Sequence, residues 1–552
     1  MNIVLTNSAA QSVYPRSYAG NDVKIWLSGR LLVRVQSGEL SSAGLGLRAM
    51  PTLAPTSIVT PVTTSDAASH FTIPSTVATS SPASARTGSR IVAADPGQPC
   101  REQLRRPVRP SPRPRGRPRI GCRLGWLSVG EVPVSLPEVD VVIVGGGLAG
   151  LAAARSLDRA GVDWLLVEAA DRLGGRVATD VVDGWRLDRG FQVLNTACPR
   201  VPALVDIDAL DMRYFTSGVL VRRAGVLHRL ENPLRGPLTA PQTLNSGVGT
   251  LGDRLKFAAL ATKCATVAPA KLLSAPETTV EQMLRRAGLS HRIIEEVLRP
   301  FLSGVFGDRS LDTSSHVLAM VLRSFARGRI GVPAAGMAAL PAAVAGPLPF
   351  PQLLVGARTL SIGPGMVVTE GGEIRCRSVI VATDPVTAAQ LIPALPRPDM
   401  RALTTFYFGA DHAPLDEPTL LLDGDRREIV ANTAVMSNAA PEYAPAGKSL
   451  IAASVVGSSA PSGASEAVIR TELARMYGSP TDDWSLLDTV VLPEALPAAR
   501  VPQHRLRKPV DLGGGLFVAG DHRDSPSIQG ALAGGWRTAG AVLTTLGIPA
   551  SL

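Results

Sequence analysis

Gly145, Gly147 and Gly150 follow directly on Val139-Asp-Val-Val-Ile-Val144, a short run rich in β-branched residues. Such a run reads as a buried parallel strand. Leu151-Ala-Ala-Ala-Arg-Ser-Leu157 then reads as a helix of small residues, Gly161 stops it, and Trp164-Leu-Leu-Val167 reads as a second strand ending on Glu168. Together they make one βαβ unit. In Gly-x-Gly-x-x-Gly at this position, the first glycine permits the tight turn. The second lets the backbone approach a pyrophosphate, and the third lets helix and strand pack closely. The helix N-terminus beyond offers unpaired N–H groups and a positive dipole end to phosphates, so Leu148 and Ala149 join the glycines as expected contacts. Glu168 lies 18 residues after Gly150 at a strand end, where its carboxylate can accept bonds from ribose hydroxyls.

The net charge of +10 suggests nucleic acid or an anionic membrane at first sight. Its location removes that reading. Residues 1–135 hold 16 Lys+Arg and 6 Asp+Glu, leaving 40 of each for the rest of the chain. No nucleic-acid partner is therefore expected for the folded part. Five scattered cysteines, Cys100, Cys122, Cys198, Cys264 and Cys376, form neither a disulfide framework nor a metal-binding pair, which fits a reducing cytoplasm. No apolar run is long enough to span a membrane, and the N-terminus lacks the layout of a secretory signal. No metal site is expected.

From Pro51 to Arg90, 22 of 40 residues are Ser, Thr or Pro, a composition that stays disordered. Arg101 to Arg119 adds eight arginines among prolines. Residues 1–135 thus read as a disordered Arg/Pro/Ser-rich tail, as an arginine-rich binding arm, or as translation from an upstream start; no Met occurs between Met50 and Met212. Downstream, Thr278-x-x-Glu281 reads as a capping box opening a helical run to Leu298, and His316 to Phe325 as a further helix. Met366–Glu370 and Ile374–Val381 flank Gly371-Gly372, a hairpin signal. Strands are expected at 404–408, 419–422, 450–456 and 516–519, with helices at 466–476 and about 527–546.

Glu168-Ala-Ala-Asp-Arg-Leu-Gly-Gly-Arg176 resembles the Glu-x-x-x-Arg-x-Gly-Gly-Arg motif of the FAD-dependent amine oxidase and phytoene desaturase superfamily, which includes protoporphyrinogen-oxidase-like proteins. The resemblance implies that Gly174, Gly175 and Arg176 lie along the pyrophosphate, where a guanidinium fork can pair two phosphate oxygens. Arg172 is expected as an orienting or surface arginine. Leu187-Asp-Arg-Gly-Phe-Gln-Val-Leu194 resembles the superfamily's loop across the flavin, which brings in Gly190 and Gln192. Phe517-Val-Ala-Gly-Asp-His-Arg-Asp-Ser-Pro-Ser-Ile-Gln-Gly530 resembles its C-terminal flavin motif. There Gly520 and Asp521 would meet the ribityl-phosphate, while Ile528, Gln529 and Gly530 supply amides at the pyrimidine edge. His522 is a candidate base, weighed against a spacer role. Arg299-Pro-Phe-Leu-Ser-Gly-Val-Phe306, Val332-Pro-Ala-Ala-Gly-Met337 with Leu340-Pro341, Val379–Pro385 and Glu494–Pro497 extend the likeness.

The resemblance implies an α/β fold, with a glutathione-reductase-like Rossmann FAD-binding domain built from 139–200, 330–390 and 510–548. An inserted α+β substrate domain would come from 201–329 and 391–509. FAD would be held noncovalently, since no attachment cysteine motif appears. With no second dinucleotide fingerprint, electrons are expected to leave to oxygen or a quinone. A substrate C–H bond would deliver a hydride to flavin N5. Ser527 and Gln529 stand where amine oxidases carry an aromatic cage, and residues 251–350 are rich in Leu, Val and Ala. Both features point to an apolar, isoprenoid-type small molecule, with peripheral membrane contact if it is a lipid. The alternatives are a flavin amine oxidase, a flavin-dependent isomerase, and a noncatalytic FAD-binding protein.

Overall fold

In a computed structural model, Val139–Val144 lies between two parallel neighbours, Trp164–Glu168 and the C-terminal half of Gly372–Val381. Leu353–Val355 and Leu516–Val518 extend this parallel sheet at its two sides. The structure describes residues 22–27, 31–36, 138–231, 246–427, 429–457, 465–503 and 505–549. Val141 to Val144 are all buried, as a parallel strand covered on both faces requires. Strands remote in sequence thus share one Rossmann-type layer.

The N-terminal half of Gly372–Val381 pairs antiparallel with Met366–Thr369, which pairs with Thr359–Gly363. The hairpin loop is Glu370-Gly371, one residue earlier than the sequence suggested. Thr369 Oγ1 accepts the Gly371 N–H at 3.2 Å and donates to Gly372 O at 2.9 Å, which pins Thr369 opposite Gly372 and draws the second glycine into the strand.

A second, mixed sheet has seven strands in the order Val226–Glu231, Gly218–Arg223, Leu420–Asp423, Asn432–Val435, Ser449–Val456, Met400–Ala410 and Ser485–Pro497. Beside it the helices Leu251–Thr266, Val280–Arg286, Arg299–Phe306 and Ser315–Arg327 build a core of their own, including Leu260, Leu284, Ile294, Leu302, Val317 and Leu322. The expected capping box is displaced by one residue. Thr279 accepts the Gln282 N–H while the Gln282 side chain accepts the Thr279 N–H, because Thr278 N is drawn to Ser315 Oγ at 3.1 Å. The expected single helical run also breaks. Gly288 sits at φ +77° after the first segment, Ser290 caps a restart, and Ile294–Leu298 forms a π-turn.

Within residues 1–135, expected to lack regular structure, Asp22–Leu27 pairs antiparallel with Leu31–Gln36. The Ser/Thr/Pro-rich stretch, the arginine-rich stretch, Cys100 and Cys122 lie outside the described residues. Among the described residues no helix is long and apolar enough to cross a membrane, and no group of three His, Cys, Asp or Glu side chains is gathered to hold a metal ion.

Candidate functional site

The three fingerprint glycines are glycines for three different reasons. Gly145 sits at φ +108°, and a Cβ there would press to 2.8 Å on the Ala382 backbone. At Gly150 a Cβ would come within 1.9 Å of Gly145 O. Gly147, the N-cap of the helix Leu148–Arg159, has ordinary φ, and its Cβ would meet only Gly175 Cα at 4.0 Å. Turn and packing account for the outer two, whereas the middle one faces open space above the first helical amides, including those of Leu148 and Ala149.

The Gly-Gly-Arg segment lies against this loop. Gly174 N donates to Gly146 O at 2.9 Å, and a Cβ on Gly175 would stand 3.2 Å from Gly147 Cα. Glu168 accepts the Gly146 N–H at 2.6 Å and the Ala170 N–H at 2.8 Å, so the backbone orients its carboxylate. Arg172 is paired with Asp180 at 2.6 Å.

Arg176 joins the two remote stretches. It donates to Asp521 Oδ1 at 2.7 Å and to Ala495 O at 3.0 Å, with Asp521 only 5% exposed. Its fork is thus set on a carboxylate and a carbonyl. Gly534 and Gly535 let the C-terminal helix close the same junction: Cβ atoms there would stand 2.7 Å from Gly520 O and 2.0 Å from Ala149 O. At the start of that helix, Ile528–Leu546, one expectation is corrected. The Gly530 amide is taken by Ser527 Oγ at 3.0 Å, because an N-cap hydroxyl satisfies the third helical N–H, which leaves the Ile528 and Gln529 amides as candidates. The Gln529 side chain accepts the Arg200 N–H at 3.0 Å. Gly190 sits at φ +88°, and Gln192 donates to Arg176 O at 2.7 Å and Arg189 O at 2.8 Å.

His522 is buried beside Asp521. Burial pushes its imidazole down to about 4, with Arg523, Lys508 and Arg176 acting the same way and Asp521 opposing them. The ring is neutral near pH 7 and a weak base.

Three groups were missed in the sequence. Asp188 accepts bonds from Thr179 Oγ1 at 2.5 Å, Met337 N at 3.0 Å and Tyr443 OH at 2.8 Å, while Tyr407 OH donates to the carbonyls of Asp188 and Gly190. Burial outweighs these donors and raises the Asp188 carboxyl to about 6. The folded state therefore holds the proton more tightly than the unfolded chain, so Asp188 favours folding at low pH, and this contribution is lost as pH rises from about 4 through about 6. The unfolding free energies of the protein and its Asp188→Asn variant should diverge across that window by on the order of 3 kcal/mol, with wild type losing ground as pH rises. Parallel stability curves from pH 4 to pH 7 would contradict this assignment.

The other two, Asn432 and Ser454, lie on the mixed sheet in a row with Thr405. Asn432, Ser454 and Thr405 are register partners across three adjacent strands and are all buried. Two residues further along those strands Ala434, Ala452 and Tyr407 join the core that includes Val141 and Ala149, so the polar row shares that face. Thr405 Oγ1 accepts the Phe191 N–H at 3.3 Å, tying the row to the Gly190 loop. Asn432 Oδ1 and Ser454 Oγ have no hydrogen-bond partner among the described residues. Gly304, from the Arg299–Phe306 helix, presses on the Asn432 amide so closely that a Cβ would stand 1.9 Å from Nδ2.

A parallel sheet with a glycine-rich first turn, closed by a distant Gly-Asp loop and a second helix end, defines a dinucleotide-binding fold of the flavoprotein class. The chain belongs to the family of flavin containing amine oxidoreductases, whose model matches residues 148–543. FAD is accordingly its cofactor. The polyamine oxidase 5 of Oryza sativa subsp. japonica is 43% identical over 80 residues, covering 14% of this chain and 16% of that protein. The putrescine oxidase of Kocuria rosea is 48% identical over 69 residues, 12% of this chain and 14% of that protein. The matched stretches thus span about a sixth of the length of these relatives, or less. Among solved structures, the cyclohexylamine oxidase of Brevibacterium oxydans IH-35A is similar over 74% of this chain and 100% of its own, with TM-score 0.57 and 18% identity. That likeness concerns the fold.

Proposed function

We propose that this chain is an FAD-dependent amine oxidoreductase whose substrate sits against the Asn432–Ser454–Thr405 row. The observation that carries the reading is the pair of buried oxygens on Asn432 and Ser454, which lack partners among the described residues and suit the N–H groups of an amine. The residues at hand fit FAD. Gly145, Gly147 and Gly150, with the amides of Leu148 and Ala149, would cradle the pyrophosphate; Glu168 would take the adenosine ribose. Gly174, Gly175 and Arg176 would flank the phosphates, Gly190 and Gln192 the flavin, and Gly520, Asp521, Ile528 and Gln529 the ribityl chain and pyrimidine edge. When bound, FAD supplies an acceptor for the hydride of a substrate C–H bond. The chain's own part is to bind and orient the amine and to exclude water from the reacting carbon.

The isoprenoid reading loses one of its two supports. The apolar residues of 251–350 that suggested it pack largely against one another in the helical core or against the sheets, as core residues do. The names of the relatives also favour amines.

Anaerobic mixing of FAD-loaded protein with diamines, cyclic amines, aromatic amines and isoprenoid lipids tests the reading through loss of the oxidised-flavin absorption. Amines should bleach the flavin. Asn432→Leu should raise KM for the best amine about tenfold with a smaller change in kcat, as expected for one lost hydrogen bond of about 1.5 kcal/mol. Bleaching by lipids alone would replace the amine reading, and no bleaching by any compound would favour a binding protein.

A further inference from the structure

His522 is only 6% exposed, and neither Nδ1 nor Nε2 has a hydrogen-bond partner among the described residues. A neutral imidazole has one N–H donor and one acceptor nitrogen, and leaving both unmet inside a protein is costly. The ring is folded back over Gly520, where φ is +148° and a Cβ would stand 2.6 Å from Nδ1. Next to it Asp521 is held by Arg176. The glycine at 520 therefore clears room for a side chain that finds nothing polar to meet among the described residues.

The ligand that satisfies this ring must both accept and donate. A phosphate ester offers acceptors only and would leave the bare ring nitrogen unmet; its charge would also be matched better by the guanidinium of Arg176. A hydroxyl group does both. We propose that His522 is a cofactor-positioning residue that holds the hydroxyls of the FAD ribityl chain, donating from one ring nitrogen and accepting at the other. This rests on the FAD site proposed above and adds a contact to it. It gives His522 a role other than that of a base. The flavin's imide edge also carries a donor and acceptors, but the helix beginning at Ile528, six residues on, is the element proposed for that edge.

The test is a binding cycle read by quenching of flavin fluorescence. Wild type, His522→Leu and His522→Gln would each be titrated with FAD and with an FAD analogue whose ribityl chain carries no hydroxyls. Wild type should prefer FAD over the analogue. His522→Leu should bind FAD about tenfold more weakly, the loss expected for one or two hydrogen bonds, and should lose about the same factor in its preference for FAD. His522→Gln, which keeps a donor and an acceptor, should recover part of that preference. An unchanged preference in folded His522→Leu overturns the inference. If His522→Leu does not fold, His522→Phe takes its place: a preference for FAD reduced about tenfold supports the inference, and an unchanged preference overturns it. Wild type that binds no FAD at all overturns the underlying site instead.

Discussion

Gly147→Glu is expected to yield a folded protein that purifies without FAD. The backbone at Gly147 has an ordinary negative φ of −74°, and a Cβ would find nothing nearer than Gly175 Cα at 4.0 Å, so the new side chain strains nothing. It would enter the space above the helix N-terminus instead, and its carboxylate would take up the amides that a pyrophosphate needs. Losing two charge-assisted hydrogen bonds costs about 3–6 kcal/mol of binding, a fall in affinity of about a hundredfold or more. Stability should change by less than about 1 kcal/mol, as for other unstrained sites. Stoichiometric FAD in the purified variant would show that the pyrophosphate lies elsewhere. The neighbouring glycine serves as the steric contrast, since a Cβ at Gly150 meets Gly145 O at 1.9 Å.

Asp188→Ala should damage the fold rather than the chemistry. The carboxylate collects an O–H from Thr179, an N–H from Met337 and an O–H from Tyr443, so it ties the hairpin at 179–188 to chain 149 and 255 residues away. Alanine would leave three donors unmet, those of Met337 and Tyr443 fully buried and that of Thr179 half-buried. At about 1–2 kcal/mol for each, the expected loss is roughly 3–6 kcal/mol in denaturant unfolding. Asp188→Asn keeps an acceptor for some of these donors and should cost less. A loss below about 1 kcal/mol for alanine would mean that water or rearrangement serves the three donors.

Much of the fold was legible because it is written in local periodicities. The β-branched run at 139–144 could only be a covered strand, and glycine spacing fixed the turn after it. The Gly-Asp loop at 520–521 was also readable, through resemblance, and its partner Arg176 stood in a recognisable motif. Asp188 was not singled out. In Leu187-Asp-Arg-Gly190 it looks like any polar residue beside a turn, and its importance comes from donors at 179, 337 and 443. The Asn432–Ser454–Thr405 row was invisible for a similar reason, because strand register across three segments remote from one another in sequence has no signature along the chain. Leucine-rich sequence between 251 and 350 suggested an apolar ligand, but side chains that pack on each other look the same in sequence as side chains that wait for a lipid. The displaced capping box has a smaller cause: two adjacent threonines offered two frames, and a distant serine chose between them.

The junction of Arg176 with Asp521 spans 345 residues, and Gly535 completes it by docking on Ala149. On a ribosome moving at about 5–20 residues per second, the first half of the cradle waits on the order of tens of seconds for the second half to emerge. The proposed FAD cradle is therefore complete only after the segment from Gly520 to Gly535 has been made. Until then the alanine- and glycine-lined face of the first helix lacks the helix that covers it.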